Sequence, residues 1–229
     1  MTTIANALQA VRQRIALAAT AAGRPVAGIQ MLAVSKTFPA AAVRQAYTAG
    51  QRAFGESYVQ EAMEKVGALN DLPLKWHFIG PIQSNKTRPI AENFAWVHSL
   101  DRDRIADRLS SGRPSNLPDL QVCLQVNVSG EASKSGVAPE ELPALARYVQ
   151  ALPHLKLRGL MAIPEPSDNP VDQRLAFARL RQLLEQLNAQ GFQLDTLSMG
   201  MSDDLEAAIA EGATIVRVGS AIFGEREKL

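Results

Sequence analysis

The apolar positions of this chain change period again and again. From Ile4 to Ala22, the residues Ile4, Leu8, Val11, Ile15 and Ala18 or Ala19 recur at helical spacing with Arg12 and Arg14 off the stripe, which predicts a leading helix closed by Gly23-Arg24-Pro25. A short apolar run, Ile29-Gln-Met-Leu-Ala-Val-Ser35, follows and ends at Lys36-Thr37 before Pro39 opens an Ala-rich helix. The same alternation then returns. Further strands are predicted at Arg52–Phe54, Lys75–Ile79, Ala95–His98, Gln121–Val128, Lys156–Ala162, Thr196–Ser198 and Thr214–Val218. Helices are predicted between them, over 39–49, 57–69, 85–93, 101–110, 139–151, 171–190 and 203–211.

That makes eight strands, each but the last followed by a helix, with starts about 26 residues apart, the size of one strand, its crossover helix and two turns. Short strands that are apolar on both faces and alternate with amphipathic helices belong to a parallel sheet covered on both sides. Eight such units predict an α/β fold, a single (β/α)8 TIM-type barrel with an extra N-terminal helix; a doubly wound open sheet is the alternative. No Gly/Ser-rich linker divides the chain, and the Pro-rich patches at 113–118 and 163–170 read as loops, so residues 1–229 are expected to form one domain.

Composition narrows the class further. A chain of 229 residues, 46% apolar, buries roughly 70% of its unfolded surface and needs no staple. Its single cysteine, Cys123, forbids an internal disulfide and, lying mid-strand, reads as a small core residue. With 24 basic and 23 acidic residues interspersed, the net charge of +1 argues against nucleic acid or an anionic membrane as the main partner. The N-terminus lacks the basic start and apolar core of a signal peptide, and no window approaches the ~18 apolar residues of a membrane span. A cytoplasmic protein is expected. The three histidines, His77, His98 and His154, sit on separate elements without ligand spacing, so no metal site is expected; His77 reads as a packed core histidine and Tyr58 as a buried aromatic.

In a parallel barrel the working face is built from residues just beyond the strands' carboxyl ends. There stand Ser35-Lys36-Thr37, Gly55-Glu56-Ser57, Gly80-Pro-Ile-Gln-Ser-Asn-Lys86, His98-Ser99, Asn127 and Ser129, Met161, Ser198-Met-Gly-Met-Ser202 and Gly219-Ser220. Glycine lets backbone N–H groups approach an anion, serine adds hydroxyl donors, and the loops after the seventh and eighth strands commonly hold phosphate. The pair Gly200-Met201-Ser202 and Gly219-Ser220 therefore reads as a phosphate cup, although singly Ser202 could cap the next helix and Gly219 ease a turn. Lys36, ending the first strand, lies beside the eighth in a closed barrel; its amine is either an imine-forming nucleophile or a solvated charge. Arg217, inside the last apolar strand, must face a ligand or pair with a carboxylate such as Glu56.

These segments carry a resemblance. Leu-Ala-Val-Ser-Lys36-Thr, Phe-Gly-Glu-Ser57-Tyr-Val-Gln-Glu, Trp76-His-Phe-Ile-Gly-Pro-Ile-Gln-Ser-Asn-Lys86, Gly159-Leu-Met-Ala-Ile-Pro164, Leu-Ser-Met-Gly-Met-Ser202-Asp-Asp and Val-Arg217-Val-Gly-Ser-Ala-Ile-Phe-Gly224 resemble the pyridoxal phosphate homeostasis protein family, the alanine racemase N-terminal-like proteins. The resemblance spans essentially the whole chain. It implies a barrel related to that of fold-type III enzymes dependent on pyridoxal 5'-phosphate (PLP), with PLP as the cofactor held as a Schiff base on Lys36. It implies further that Ser202, Gly219 and Ser220 bind the phosphate beside Gly200 and Met201, and that Arg217 approaches the pyridine nitrogen. The family segment usually reads Phe-Gly-Glu-Asn, so Ser57 departs from it, and Ser220 stands where Thr is frequent.

A guanidinium at the ring nitrogen disfavours its protonation and weakens the cofactor as an electron sink. Related racemases draw a second base from an additional domain and a partner subunit, and this chain ends five residues after its last motif. The expected function is therefore PLP homeostasis without turnover: a monomer that binds PLP and contacts PLP-dependent apo-enzymes transiently. A PLP-dependent racemase with Glu56, His77 or Tyr58 as acid or base is the enzymatic alternative, and a cofactor-free imine aldolase is a third.

Overall fold

The computed structural model describes residues 3–130 and 135–225. Its strands are β1 (Gln30–Val34), β2 (Ala53–Glu56), β3 (Lys75–Phe78), β4 (Trp96–Leu100), β5 (Leu120–Gln125), β6 (Leu155–Met161), β7 (Thr196–Ser198) and β8 (Ile215–Val218). All neighbouring pairs are parallel, and β8 returns to β1, closing the barrel in sequence order. The closed form decides against the open sheet.

The helices are α1 (Ile4–Ala21), α2 (Ala40–Thr48), α3 (Val59–Ala68), α4 (Thr87–Asn93), α5 (Asp103–Gly112), α6 (Leu142–Gln150), α7 (Pro170–Ala189), α8 (Leu205–Ala210) and α9 (Ser220–Phe223). α1 starts where the Thr3 hydroxyl accepts the Asn6 N–H, and its predicted stripe, Leu8, Val11, Ile15 and Ala19, is buried. Arg14 on its flank forks onto the Glu206 carboxylate of α8, tying the leading helix to the end of the barrel.

Two departures from the predicted elements have local causes. The eighth strand is followed by a helix after all, α9, but a single turn leaves no periodic pattern to read. The fifth strand stops at Gln125 rather than Val128, because the chain beyond it pairs with its own loop: Val126 bridges Val137, and Asn127 N–H donates to the Val137 carbonyl.

Alternation along each strand divides the apolar residues into two shells. Phe54, Phe78, Val97, Val122, Leu124, Val216 and Val218 pack outward beneath the helices. Leu32, Ala53 and Ile215, with Ile79 and Trp96 against them, fill the barrel's inside. Each fully buried large side chain contributes about 1.5–3 kcal/mol. Since Ile215 faces inward and Val216 outward, Arg217 faces inward too.

Gly159 shows how tightly adjacent strands approach: a Cβ there would lie 1.8 Å from the Thr196 carbonyl oxygen of β7. Gly67, on α3, would place its Cβ in open space. Gly159→Ala should cost about 2–3 kcal/mol, and Gly67→Ala should stabilise by about 0.4–1 kcal/mol, both read from urea denaturation midpoints.

Candidate functional site

At the carboxyl end of the strands lies a cavity of about 700 Å³ lined by Val34, Lys36, Ser57, Ile79, Ile163, Met201, Ser202, Asp203, Arg217, Gly219, Ser220 and Glu225. Six of the seven residues expected at the site share this wall. Gly200 does not; it shapes the turn behind it, with φ +89°, a carbonyl that accepts the Arg217 backbone N–H at 2.9 Å, and no room for a Cβ, which would lie 2.5 Å from that of Ala208. A second hollow of about 640 Å³, between α5 and α6, is lined by Asp101, Asp103, Glu140, Glu141 and Tyr148 and brings no comparable set of donors together.

Ser202 does not cap α8. Its Oγ accepts the Ser220 hydroxyl at 3.1 Å and the Ala221 N–H at 3.5 Å, so the loops after β7 and β8 are joined at the cavity wall. Its carbonyl accepts from Arg14 Nη2 at 3.0 Å, which anchors the same loop to α1. Gly219 has an ordinary φ of −117°, so it is not there for a left-handed turn. A Cβ at this glycine would crowd the Val34 carbonyl oxygen at 3.3 Å on the opposing strand end.

Lys36 follows β1 by two residues, in a turn held from behind. Thr37, a β-branched residue, takes φ +70°, a conformation that persists only where the surroundings impose it. Its N–H donates to Glu61 Oε1 at 2.6 Å. The same carboxylate accepts from Lys65 Nζ at 2.5 Å, and that ammonium also donates to the Ser35 carbonyl at 2.7 Å and to Glu56 Oε1 at 2.8 Å. The Ser35 hydroxyl completes the clamp on Glu56 at 2.6 Å. Residues on both sides of Lys36 are thus fixed by one buried lysine. Burial lifts the Glu56 carboxyl above its ordinary range despite the opposing pull of Lys65.

Arg217 is 3% exposed, and its Nη1 donates to the Ser198 carbonyl at 2.6 Å and the Ser198 hydroxyl at 2.9 Å, while Nη2 donates to the Ala162 carbonyl at 2.9 Å. The alternative reading of Arg217, a salt bridge to Glu56, is not what forms, since that carboxylate is taken by Lys65. Desolvation pushes the guanidinium down to about 10, still charged at neutral pH. Of the suggested acids and bases, Glu56 and His77 are wholly buried off the cavity wall, and Tyr58 is 54% exposed on the surface rather than buried, because it precedes α3 outside its packed stripe. Cys123 is buried, as its mid-strand position predicts, and no group of metal-ligating side chains occurs among the described residues. Lys65 was not foreseen. The signal was its place between Ala62 and Leu69 on the buried face of α3, where a lysine needs partners.

A family model described as the N-terminal domain of alanine racemase matches residues 7–227. The chain belongs to this family. Within it, the pyridoxal phosphate homeostasis protein of Pseudomonas aeruginosa is 67% identical over 227 residues, covering 99% of this chain and 97% of the relative. The protein of the same name from Escherichia coli K12 is 51% identical over 230 residues, covering 99% and 98%. Among solved structures, PipY of Synechococcus elongatus PCC7942 with PLP bound matches at TM-score 0.85 and 39% identity, covering 97% of this chain and 100% of that one. Alanine racemase from Corynebacterium glutamicum, at TM-score 0.67 and 18% identity over 95% of this chain and 62% of that one, shares the fold.

The buried titratable groups set a pH dependence. Burial holds the His77 imidazole down at about 3 and His98 well below its ordinary value, so each stays neutral in the folded protein and protonates near 6.5 when unfolded. A depressed folded value means stability is lost as pH falls from 6.5. Glu56, raised by burial, acts in the opposite sense as pH rises above 4.5, one group against two. Between pH 6.5 and 5, stability should therefore fall by up to about 1.4 kcal/mol per pH unit for each buried histidine, measured by urea denaturation, and the slope should flatten in His77→Gln.

Proposed function

We propose that this protein binds PLP in the cavity at the carboxyl end of the barrel and serves PLP homeostasis, holding, buffering and delivering the cofactor rather than turning over a substrate. The observation that carries the reading is the meeting of an amine, two joined hydroxyls and a buried guanidinium, Lys36, Ser202 with Ser220, and Arg217, on one cavity wall. The names of the relatives and the PLP-bound state of PipY support it.

The donor set fits the group. Lys36 would supply the amine that holds the cofactor through its aldehyde, a link whose formation would release water. Ser202 and Ser220 offer hydroxyls to the phosphate, with the backbone of Gly219 brought close by the absence of a side chain, and Met201 lies alongside. Arg217, a permanent donor on the cavity wall, would stand toward the cofactor ring and disfavour a proton on its nitrogen, limiting the electron sink that PLP supplies when bound. Ser57 places a short hydroxyl on the wall where the resembled family motif would put a longer amide. Racemisation needs proton-transferring groups on both faces of a substrate. The lining includes the carboxylates of Asp203 and Glu225 and, among the described residues, no histidine, tyrosine or cysteine.

In this reading the protein is a cytoplasmic monomer of one domain that meets PLP-dependent apo-enzymes only transiently. No helix among the described residues is long and apolar enough to cross a membrane.

Borohydride reduction of the PLP-loaded protein followed by peptide mass analysis should place one pyridoxyl group on the peptide containing Lys36; a label found elsewhere, or none, overturns the assignment. Incubating the loaded protein with amino acids in deuterated water should give no sustained α-proton exchange, and robust turnover would instead establish the racemase reading. Ser202→Ala should weaken PLP retention by about tenfold or more, the worth of one hydrogen bond to a charged group, measured by equilibrium dialysis.

A further inference from the structure

Arg217 touches the cavity with one side of its guanidinium and the interior of the barrel with the other, and the interior side leads somewhere. Beyond Ser198 Oγ lies His98 Nδ1 at 2.7 Å, and beyond His98 Nε2 lies His77 Nδ1 at 2.9 Å. The four residues come from β8, β7, β4 and β3 and cross the closed barrel in one line. We propose that His98 is a positioning residue for Arg217: a one-way hydrogen-bond chain from Arg217 through Ser198 and His98 to His77 fixes the guanidinium beneath the cofactor site and so sets how firmly the ring is held.

The direction of the chain follows from donor inventory. A guanidinium has five N–H donors and no acceptor, so the Ser198 oxygen receives from Arg217 and its own proton must go to another acceptor. His98 Nδ1 is that acceptor, which places the His98 proton on Nε2. His98 Nε2–H then donates to His77 Nδ1, and the His77 proton is forced onto Nε2. His77 Nε2 is one of two buried side-chain polar atoms without a partner among the described residues, the other being Glu56 Oε2. An orphaned N–H at the far end is what a chain started by a donor-only residue produces when it runs out of acceptors. In the reversed order the Ser198 oxygen would accept from both Arg217 and His98, and its own buried hydroxyl hydrogen would be left without an acceptor.

The surroundings hold the chain in this state. His77 stacks on Trp96 with ring centroids 5.5 Å apart and planes 1° from parallel, so its ring cannot turn without displacing the inner apolar layer. Burial keeps both imidazoles neutral, aided at His77 by the nearby charge of Lys75 and at His98 by that of Arg217. A protonated His98 would have no lone pair for Ser198. The Ser198 hydroxyl hydrogen would then lose its acceptor beside the guanidinium, leaving the two carbonyls, Ser198 O and Ala162 O, as the undisturbed acceptors that orient Arg217.

The proposal rests on the reading of the cavity as a PLP site, and its test separates the two. In the full chain without PLP, nitrogen-15 NMR at neutral pH should show Nδ1 unprotonated and Nε2 protonated on both His77 and His98; a proton on His98 Nδ1 overturns the chain whatever the protein does with PLP. In the loaded protein, PLP release is then followed with a carbonyl trap for wild type, His98→Leu, Arg217→Gln and the double variant. Release should be about tenfold faster in His98→Leu, and less than twofold changed by the same substitution on the Arg217→Gln background, as expected for residues coupled in one network. Equal acceleration on both backgrounds would show that His98 acts only through general packing. Ser198→Ala, which cuts the same line one link earlier, should match His98→Leu and serves if that variant does not fold. A wild-type protein that never retains PLP would sink the reading of the cavity and leave the NMR result standing.

Discussion

The ladder between β1 and β8 closes the barrel, and its register decides what the closed barrel can hold. It runs from Gln30 opposite Ile215 to Ala33 opposite Val218, and the chain ends that leave it are the Lys36 turn and the Gly219-Ser220 corner. Residues nearly two hundred positions apart are made neighbours by four backbone pairings. Because side chains alternate along a strand, a slip of one residue in this ladder would turn Arg217 into the outer apolar shell and Val218 into the interior. The amine, the hydroxyl pair and the guanidinium face one cavity because this register and the seven others are mutually consistent.

Two buried polar clusters sit behind that wall and solve different problems. The Lys65 cluster holds a strained backbone: its charge is met by Glu56, Glu61 and a carbonyl, and its product is the left-handed Thr37 beside Lys36. The Arg217 cluster holds a side chain, and its charge is met by carbonyls and a hydroxyl rather than by a carboxylate. Buried ion pairs are weak contributors to net stability, and apolar replacements are frequently as stable. Each cluster also leaves one buried atom without a partner among the described residues, Glu56 Oε2 in one and His77 Nε2 in the other. A barrel selected only for stability would have no use for either; each makes sense as a means of holding a group at the rim.

Most of the barrel was legible along the chain because parallel strands buried on both faces leave continuous apolar runs that helices punctuate at a regular interval. The cavity wall was legible for a related reason: in this fold the rim is a sequence position, the few residues after each run, so Lys36, Ser202 and Gly219 could be placed there without knowing their neighbours. What was not legible are the contacts made by closure. His77, His98 and Ser198 look like unrelated strand residues until three different strands bring them within hydrogen-bond distance. Lys65 lies within a helix rather than at a rim position, and only the folded chain brings its Nζ to Ser35 just past the first strand and to Glu56 at the end of the second. The one-turn α9 and the early end of β5 escaped because pattern needs length, and neither segment offers enough residues to show a period.

A net charge of +1 gives the molecule no global field with which to draw in an anion, so attraction must be local. The cavity wall itself is balanced, with Lys36 and Arg217 against Asp203 and Glu225. For Arg217 the desolvation cost is met at folding, through the carbonyls of Ser198 and Ala162, so no water has to be stripped from that side when a ligand arrives and no side-chain freedom is lost in orienting it. Affinity gained by such preorganisation does not require a large complementary charge. In the proposed reading, that suits a protein that must hold a doubly charged phosphate firmly and still release it: a reversible link at Lys36 would be the strong element of the site, while the rigid polar frame of Arg217, Ser202 and Ser220 would set orientation.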